Sequence, residues 1–193
     1  APVSKNTSKK ESQSKAKKAK ADKRKTVAKV QKKSADTQSQ KDTRQTSAAT
    51  NRAKHTFNEE TGLLWPVKGD VILKYSMNNS VYFKTLAQYK CNPGIVISAK
   101  VGKQVKAAAD CRVTKVEKND ELGTVVTTDI GSKYLVSYGQ LDNISVTRGD
   151  ELKEGDVIGT IAKPTKYYTE EGSNLYFQVK ENGNTVDPLL LLR

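Results

Sequence analysis

Apolar and polar residues alternate along much of the chain beyond residue 60. In the segment 174–180, apolar side chains at Leu175, Phe177 and Val179 occupy every second position. A period of two predicts a β-strand with one buried face. Asn182-Gly183 follows this strand and is a typical hairpin-turn dipeptide.

The same alternation predicts further short strands separated by turns. They cover residues 71–75, 78–84, 112–117, 124–128 and 133–141. From Gly149 to Gly159, glycines recur at short intervals between apolar residues, which is typical of tight turns between short strands. The pattern therefore predicts an all-β fold, a compact antiparallel sheet and sandwich of short strands.

The first segment of the chain has a different composition. Residues 1–55 contain 17 Lys and Arg against 4 Asp and Glu, so they carry the whole net charge of +13, and the remainder has 17 of each sign. The segment has no aromatic residue. It offers too little apolar surface to offset the entropy of folding, and we expect residues 1–56 to form a disordered or transiently helical basic linker before a domain at 57–193.

This basic segment has two open interpretations. Its charge favours adhesion to an anionic membrane, wall polymer or nucleic acid. Alternatively, it is a solvated spacer that like charges keep extended. The lack of aromatic residues argues against a dedicated single-strand nucleic-acid binder.

No apolar run approaches the roughly 20 residues that span a bilayer. Because the chain begins at Ala1 and not at Met, we expect a signal or membrane anchor upstream. Cys91 and Cys111 are the two cysteines. Two thiols define neither a disulfide-rich scaffold nor a four-cysteine zinc site, and whether they pair stays open.

Several ordered motifs between about Leu64 and Leu192 carry more specific information. The first is Trp65-Pro66-Val67 with a glycine turn, and the second contains Gly94-Ile95-x-Ile97. A third runs from Gly102 to Asp110, and the last ends in Phe177-Gln178-Val179, a turn and Asp187-Pro188. Together they resemble the lysostaphin/LytM-type zinc endopeptidases, peptidase family M23, and imply that family's fold with its duplicated hybrid motif and groove.

The resemblance also implies where catalytic residues should lie. Family members carry His-x-Gly-Ile-Asp-Ile, Tyr-x-His-Leu and His-x-His-Phe-Glu-Val. At the three zinc-ligand positions this chain has Asn92, Val96 and Tyr176, and at the two helper-histidine positions it has Gln140 and Asn174. A catalytic zinc ion needs three N, S or O ligands and an open position for water. The substitutions therefore predict an inactive pseudo-peptidase without metal or cofactor.

Other catalytic chemistry has little support in the sequence. The single histidine, His55, precedes the predicted domain, and we interpret it as a solvent-exposed residue and not as a ligand. No phosphate-binding loop or nucleophile elbow is present. Asp110, Glu117, Asp150 and Glu154 occupy turn or solvent-facing contexts, which favours surface roles.

By resemblance, the domain is an interaction or scaffold module whose groove is lined by Asn92, Val96, Gln140, Asn174 and Tyr176. Inactive domains of this type occur in membrane-anchored sporulation proteins of the SpoIIQ kind and in division factors of the EnvC kind. The basic segment lacks sustained heptads, which argues against the coiled-coil EnvC architecture. The implied setting is the extracytoplasmic envelope of a bacterium, and the implied ligand is an envelope protein or peptidoglycan.

Two other functions remain possible on the sequence. One is an active wall endopeptidase with relocated catalytic residues. The other is an anion-binding protein that acts through its basic tail, with affinity that falls steeply with salt. The sequence does not identify the partner, the biological process or the oligomeric state.

Overall fold

The computed structural model describes residues 55–193, and the predicted basic linker lies almost entirely outside them. Within the described part, twelve strands precede a short 3₁₀-helix at Pro188–Leu190. The strands are β1 Val71–Leu73, β2 Ser76–Phe83, β3 Gln88–Asn92, β4 Ile95–Ser98, β5 Gln104–Lys106, β6 Cys111–Asn119, β7 Gly123–Gly131, β8 Tyr134–Asp142, β9 Glu151–Leu152, β10 Val157–Ile161, β11 Asn174–Glu181 and β12 Asn184–Val186. The predicted all-β class is confirmed.

Ten of the strands form one antiparallel sheet. Its order is β1-β4-β11-β8-β7-β6-β9, β12 pairs with β11, and β10 pairs with both β5 and β8. β11 lies between β4 and β8, so the strand with the clearest alternation is a central one. A central strand is paired along both edges, so its register is fixed on both sides. A slip in register would turn its apolar side chains out of the core, which favours a regular alternation in this segment.

The two faces of β11 have different environments. Leu175, Phe177 and Val179 are fully buried in the main hydrophobic core. Gln178 and Lys180 point to the opposite face and are half-buried. The predicted alternation is therefore present over these positions.

The β2–β3 hairpin forms a separate two-stranded sheet. Its inner residue Phe83 packs with Leu73, Val96, Tyr168 and Tyr176 in a second hydrophobic cluster. On the outer face, Tyr82 and Tyr89 are 46% and 71% exposed. Strand alternation therefore turns these two tyrosines away from the cluster and towards solvent.

The two ends of the described chain meet. Leu63 pairs with Leu192, the Leu63 amide donates to the Leu191 carbonyl, and the Arg193 amide donates to the Leu63 carbonyl. Leu63 is fully buried, so this contact closes the main core at its margin. The C-terminal residues are therefore an integral part of the packing.

His55 and the two cysteines also have defined surroundings. The His55 side chain is only 14% exposed and its Nε2 lies 2.5 Å from Glu151 Oε2, so its interpretation as solvent-exposed is wrong. Cys91 is exposed, Cys111 is buried in the core, and both thiols are free. Over residues 55–193, no helix has the length and apolarity to cross a membrane.

Candidate functional site

Four of the five positions expected, by resemblance, to correspond to the family's zinc site lie where β4, β11 and β8 run side by side. Val96 is the register partner of Tyr176, and Tyr176 is the register partner of Gly139. Gln140 follows Gly139, and Asn174 lies two residues before Tyr176. The strand order thus brings together positions from three distant sequence motifs, as their resemblance to one site implied.

An apolar cluster occupies two of the three ligand positions. Val96 is fully buried and Tyr176 is 5% exposed, and both belong to the second hydrophobic cluster with Tyr168. The Tyr176 ring lies against the backbone of Gly94, where an added Cβ would be 3.1 Å from the phenol oxygen. The ring therefore takes space that only a glycine leaves free.

Asn92, the third ligand position, is engaged by the backbone. Its side chain is buried, and Nδ2 donates to the carbonyl of Lys74 at 2.9 Å. This bond ties the end of β3 to the chain that follows β1. Asn92 therefore stabilises the start of the β2–β3 hairpin.

The two helper positions are buried amides. Gln140 Oε1 accepts from the Thr165 amide at 3.4 Å, and Asn174 Nδ2 donates to the Gly172 carbonyl at 2.7 Å. Gln140 has a left-handed backbone with φ of 64°, and its carbonyl accepts from Ala162. Gln140 Nε2 and Asn174 Oδ1 are buried and have no hydrogen-bond partner within the described part of the chain. Both amides hold the 162–173 connection in place.

Tyr176 is the one phenol at these positions. Burial, and to a smaller extent the nearby Glu121 carboxylate, raise the pKa of Tyr176 well above its usual value. Gln178 Nε2 donates to the phenol oxygen at 3.0 Å. The phenol therefore stays protonated and neutral at physiological pH.

The donor set does not fit a zinc ion. Val96 has no donor atom, the Asn92 amide group is bonded to the backbone, and Tyr176 is a neutral phenol in an apolar cluster. Among residues 55–193, His, Cys, Asp and Glu form no group of three that could hold a metal. Zinc prefers imidazole, thiolate and carboxylate ligands, so these residues offer it no coordination shell.

A shallow groove lies over the open face of the sheet beside this site. Its volume is about 300 Å³. Its lining comes from β6, β7, β8, β11 and the β6–β7 turn: Lys115, Glu117, Asn119, Leu122, Val125, Thr127, Leu135, Ser137, Tyr176, Gln178 and Lys180. Of the five residues expected to line a groove, Tyr176 is the one that does so here, and the other four are at most 1% exposed.

Sequence reasoning did not find the residues that fill the site. Tyr168 and Leu122 pack at the second cluster from connections between strands, and Phe83 reaches it from the hairpin. These segments have no alternating pattern that specifies their contacts. The sequence does show aromatic residues in the segments 75–89 and 167–168. Aromatic side chains indicate packing, but they do not indicate which site they cover.

Comparisons with known proteins indicate the family of this chain. The model of peptidase family M23 matches residues 90–188. Stage II sporulation protein Q of Bacillus subtilis is 32% identical over 103 residues, which are 52% of this chain and 36% of that protein. The murein hydrolase activator EnvC of Escherichia coli is 27% identical over 126 residues, which are 64% of this chain and 27% of that protein. The chain thus covers well under half the length of either relative.

Solved structures give the same result for the fold. A structure of the SpoIIQ–SpoIIIAH pore-forming complex superposes with a TM-score of 0.58 at 25% identity, covering 68% of this chain and 90% of that one. A zinc-containing peptidase from Vibrio cholerae has a TM-score of 0.56 at 22% identity, covering 70% of this chain and 40% of that one, and shows the fold alone. From the matched residues and the shared sheet, the chain belongs to peptidase family M23.

Proposed function

We propose that this chain is a non-catalytic M23 protein that binds a partner in the cell envelope. The observation that carries the proposal is the replacement of all three zinc-ligand side chains, two of them by residues packed in an apolar cluster. A groove beside them remains open on the sheet face. A peptidase fold that keeps its groove and lacks its metal ligands retains binding as its main capability.

The partner we favour is another envelope protein. The similarity to stage II sporulation protein Q and to its complex with SpoIIIAH supports a partner of the SpoIIIAH kind. The groove lining also suits a peptide chain, because apolar side chains at Leu122 and Leu135 lie among hydroxyl and amide groups such as Ser137 and Gln178. Asn92, Val96, Gln140 and Asn174 would act from beneath this surface by fixing Tyr176 and the surrounding connections.

The proposed setting is the extracytoplasmic face of a bacterial membrane, with an anchor upstream of Ala1. The similarity to sporulation and lipoprotein family members supports this location. In this arrangement residues 1–56 are a linker and residues 57–193 the binding domain. Electrostatic attraction of the linker to anionic membrane or wall polymers would hold the domain close to the envelope surface.

The proposal is tested with two ligands and one activity assay on the full chain. A SpoIIIAH homologue from the same organism is titrated by calorimetry, and purified peptidoglycan sacculi are incubated with the chain and zinc. We expect a saturable protein complex and no soluble muropeptides. Zinc-dependent release of muropeptides would overturn the proposal in favour of a hydrolase.

A pair of variants locates the binding surface. Ser137→Arg places a long cation in the groove, and we expect it to weaken the complex about tenfold or more by steric block and desolvation. Asn184→Arg adds the same side chain at the exposed first residue of β12, outside the groove lining, and should leave affinity unchanged. Equal affinity of both variants would place the partner on another face. Pelleting with sacculi at high salt would instead identify peptidoglycan as the groove ligand.

A further inference from the structure

Charge is unevenly divided within the folded part of the chain. The segment 71–109 contains six lysines and no Asp or Glu, whereas residues 56–193 as a whole contain 17 residues of each sign. This segment forms β1 to β5 and includes the β2–β3 hairpin. This stretch of sequence therefore contributes only basic charged side chains to the domain, although the domain as a whole has no net charge.

The outer face of the hairpin presents large apolar side chains to solvent. Tyr82 and Tyr89 are cross-strand partners, and their ring centroids are 5.1 Å apart. Met77 is 44% exposed and Cys91, two residues after Tyr89, is also exposed. The inner face of the same hairpin is occupied, because Phe83 and Val81 pack on the second hydrophobic cluster. Only the outer face is available for a partner.

Two lysines flank this outer face. The carbonyl of Lys74 accepts from the Asn92 side chain at one end of the hairpin, and Lys84 begins the turn at the other end. Both are exposed, and neither forms an ion pair with another described residue. Of the carboxylates that contact the hairpin, Glu121 is paired with Lys90, and Glu171 accepts from Thr85 at the turn and keeps its negative charge.

Exposed tyrosines and a methionine flanked by unpaired lysines suit the interface of an anionic bilayer. Tyrosine rings favour the headgroup level of a membrane, and lysine stems extend so that the ammonium reaches phosphate. Protein interfaces, in contrast, are depleted in lysine. We propose that the outer face of the β2–β3 hairpin, with Tyr82, Tyr89, Lys74 and Lys84, docks onto the headgroup region of an anionic phospholipid membrane.

Vesicle pelleting alone does not test this inference, because the basic N-terminal segment would carry the full chain to an anionic surface in any case. A depth-sensitive probe on the hairpin does test it. Cys91 is the exposed thiol, and Cys111 is buried, so a small environment-sensitive dye can be attached at Cys91 of the full chain. Vesicles of phosphatidylcholine with and without phosphatidylglycerol, each carrying chain-labelled quencher lipids, provide the readout.

We expect the Cys91 dye to shift to shorter wavelength and to be quenched on vesicles that contain phosphatidylglycerol. The control chain carries Cys91→Ser and Asn184→Cys, so that the same dye lies at the exposed first residue of β12. This chain should bind the vesicles equally well, and its dye should not be quenched. Equal quenching at both positions, or none at Cys91 while the chain is bound, would overturn the inference. The second of these results would favour a protein partner on this face.

Two double variants separate the contributions of the rings and the charges. Tyr82→Ser with Tyr89→Ser should abolish most of the quenching while the chain stays bound through its basic segment. Lys74→Gln with Lys84→Gln should lower the hairpin's docking constant roughly 30-fold at low salt. Leu190→Ala removes an even more exposed apolar side chain elsewhere and should change neither quantity. Unchanged quenching in the tyrosine variant would contradict the proposed contact.

Discussion

At the residue scale, the degenerate site depends on the close approach of Tyr176 and Gly94. A Cβ at Gly94 would lie 2.6 Å from the Phe177 carbonyl oxygen and 3.1 Å from the Tyr176 ring and hydroxyl. Both neighbours belong to the central strand β11, whose backbone is paired on each side. The strand therefore cannot move away without losing pairing with β4 or β8.

Gly94→Ala should consequently destabilise the domain by about 2 to 3 kcal/mol through overpacking. The measurement is urea denaturation followed by tryptophan fluorescence. Gly102→Ala is the control, because its Cβ would meet open space and only its left-handed backbone, with φ of 81°, would cost about 1 kcal/mol. Equal destabilisation by the two substitutions would contradict the packing described for Tyr176.

The two thiols should differ sharply in reactivity. Burial raises the pKa of the Cys111 thiol to about 11, so at pH 8 almost none of it is thiolate. Cys91 is exposed on the hairpin. Iodoacetamide at pH 8 should add one group to the native chain, at Cys91, and two groups after unfolding in urea. Mass spectrometry that finds Cys111 modified in the native chain would show that the core opens there.

Sequence reasoning at this scale predicts which side chains stand at the zinc-site positions but not the surroundings of those side chains. The positions of Val96 and Tyr176 followed from short motifs, and the strand register confirms that they lie side by side. Asn92 and Gln140 were expected at a groove surface because of the resemblance of their positions to the family's site. They are buried because Lys74 and Thr165 supply partners from segments without any diagnostic pattern.

At the element scale, alternation located the regular strands of the main sheet. The segments 112–117 and 124–128 fall within β6 and β7, which extend further at both ends, and the segment 133–141 begins one residue before β8 and ends one residue before its end. The separate β2–β3 sheet could not be predicted. Its first strand has four consecutive exposed residues, 77–80, and a shifted register, so periodicity gives no unique pairing.

The C-terminal segment gives a sharp test of packing at this scale. Leu191 is 9% exposed and bonded to Leu63, whereas the adjacent Leu190 is 83% exposed. Leu191→Ala should cost about 2 to 3 kcal/mol, and Leu190→Ala less than about 0.5 kcal/mol. Thermal or urea denaturation of the two variants measures this difference. Similar stability of both variants would mean that the chain ends do not close the core.

At the scale of the whole molecule, the chain combines a peptidase fold with a non-peptidase donor set. The ordered motifs allowed the family and the all-β class to be predicted. Turns between strands need the glycines of these motifs and core packing needs their apolar residues, whichever side chains occupy the site. The surface charge distribution was predicted only as a contrast between the basic segment and a neutral remainder. The sequence alone did not indicate a surface role for the segment 71–109, which has no Asp or Glu. The structure indicates one because the hairpin places two of its tyrosines on an exposed face.

The central claim is that this fold keeps the positions of a zinc site while the side chains there cannot bind the ion. The most direct test is the zinc stoichiometry, measured by elemental analysis after dialysis. It is measured for the natural chain and for a five-residue variant that carries Asn92→His, Val96→Asp, Gln140→His, Asn174→His and Tyr176→His. A second variant that keeps Val96 but carries the other four changes serves as the control for a missing ligand.

We expect close to one zinc ion per chain in the five-residue variant, clearly weaker binding when Val96 is kept, and none in the natural chain. Because zinc would bind the folded state, it should also raise the melting temperature of the five-residue variant alone. One tightly bound zinc ion in the natural chain, or no zinc in a folded five-residue variant, would contradict the account.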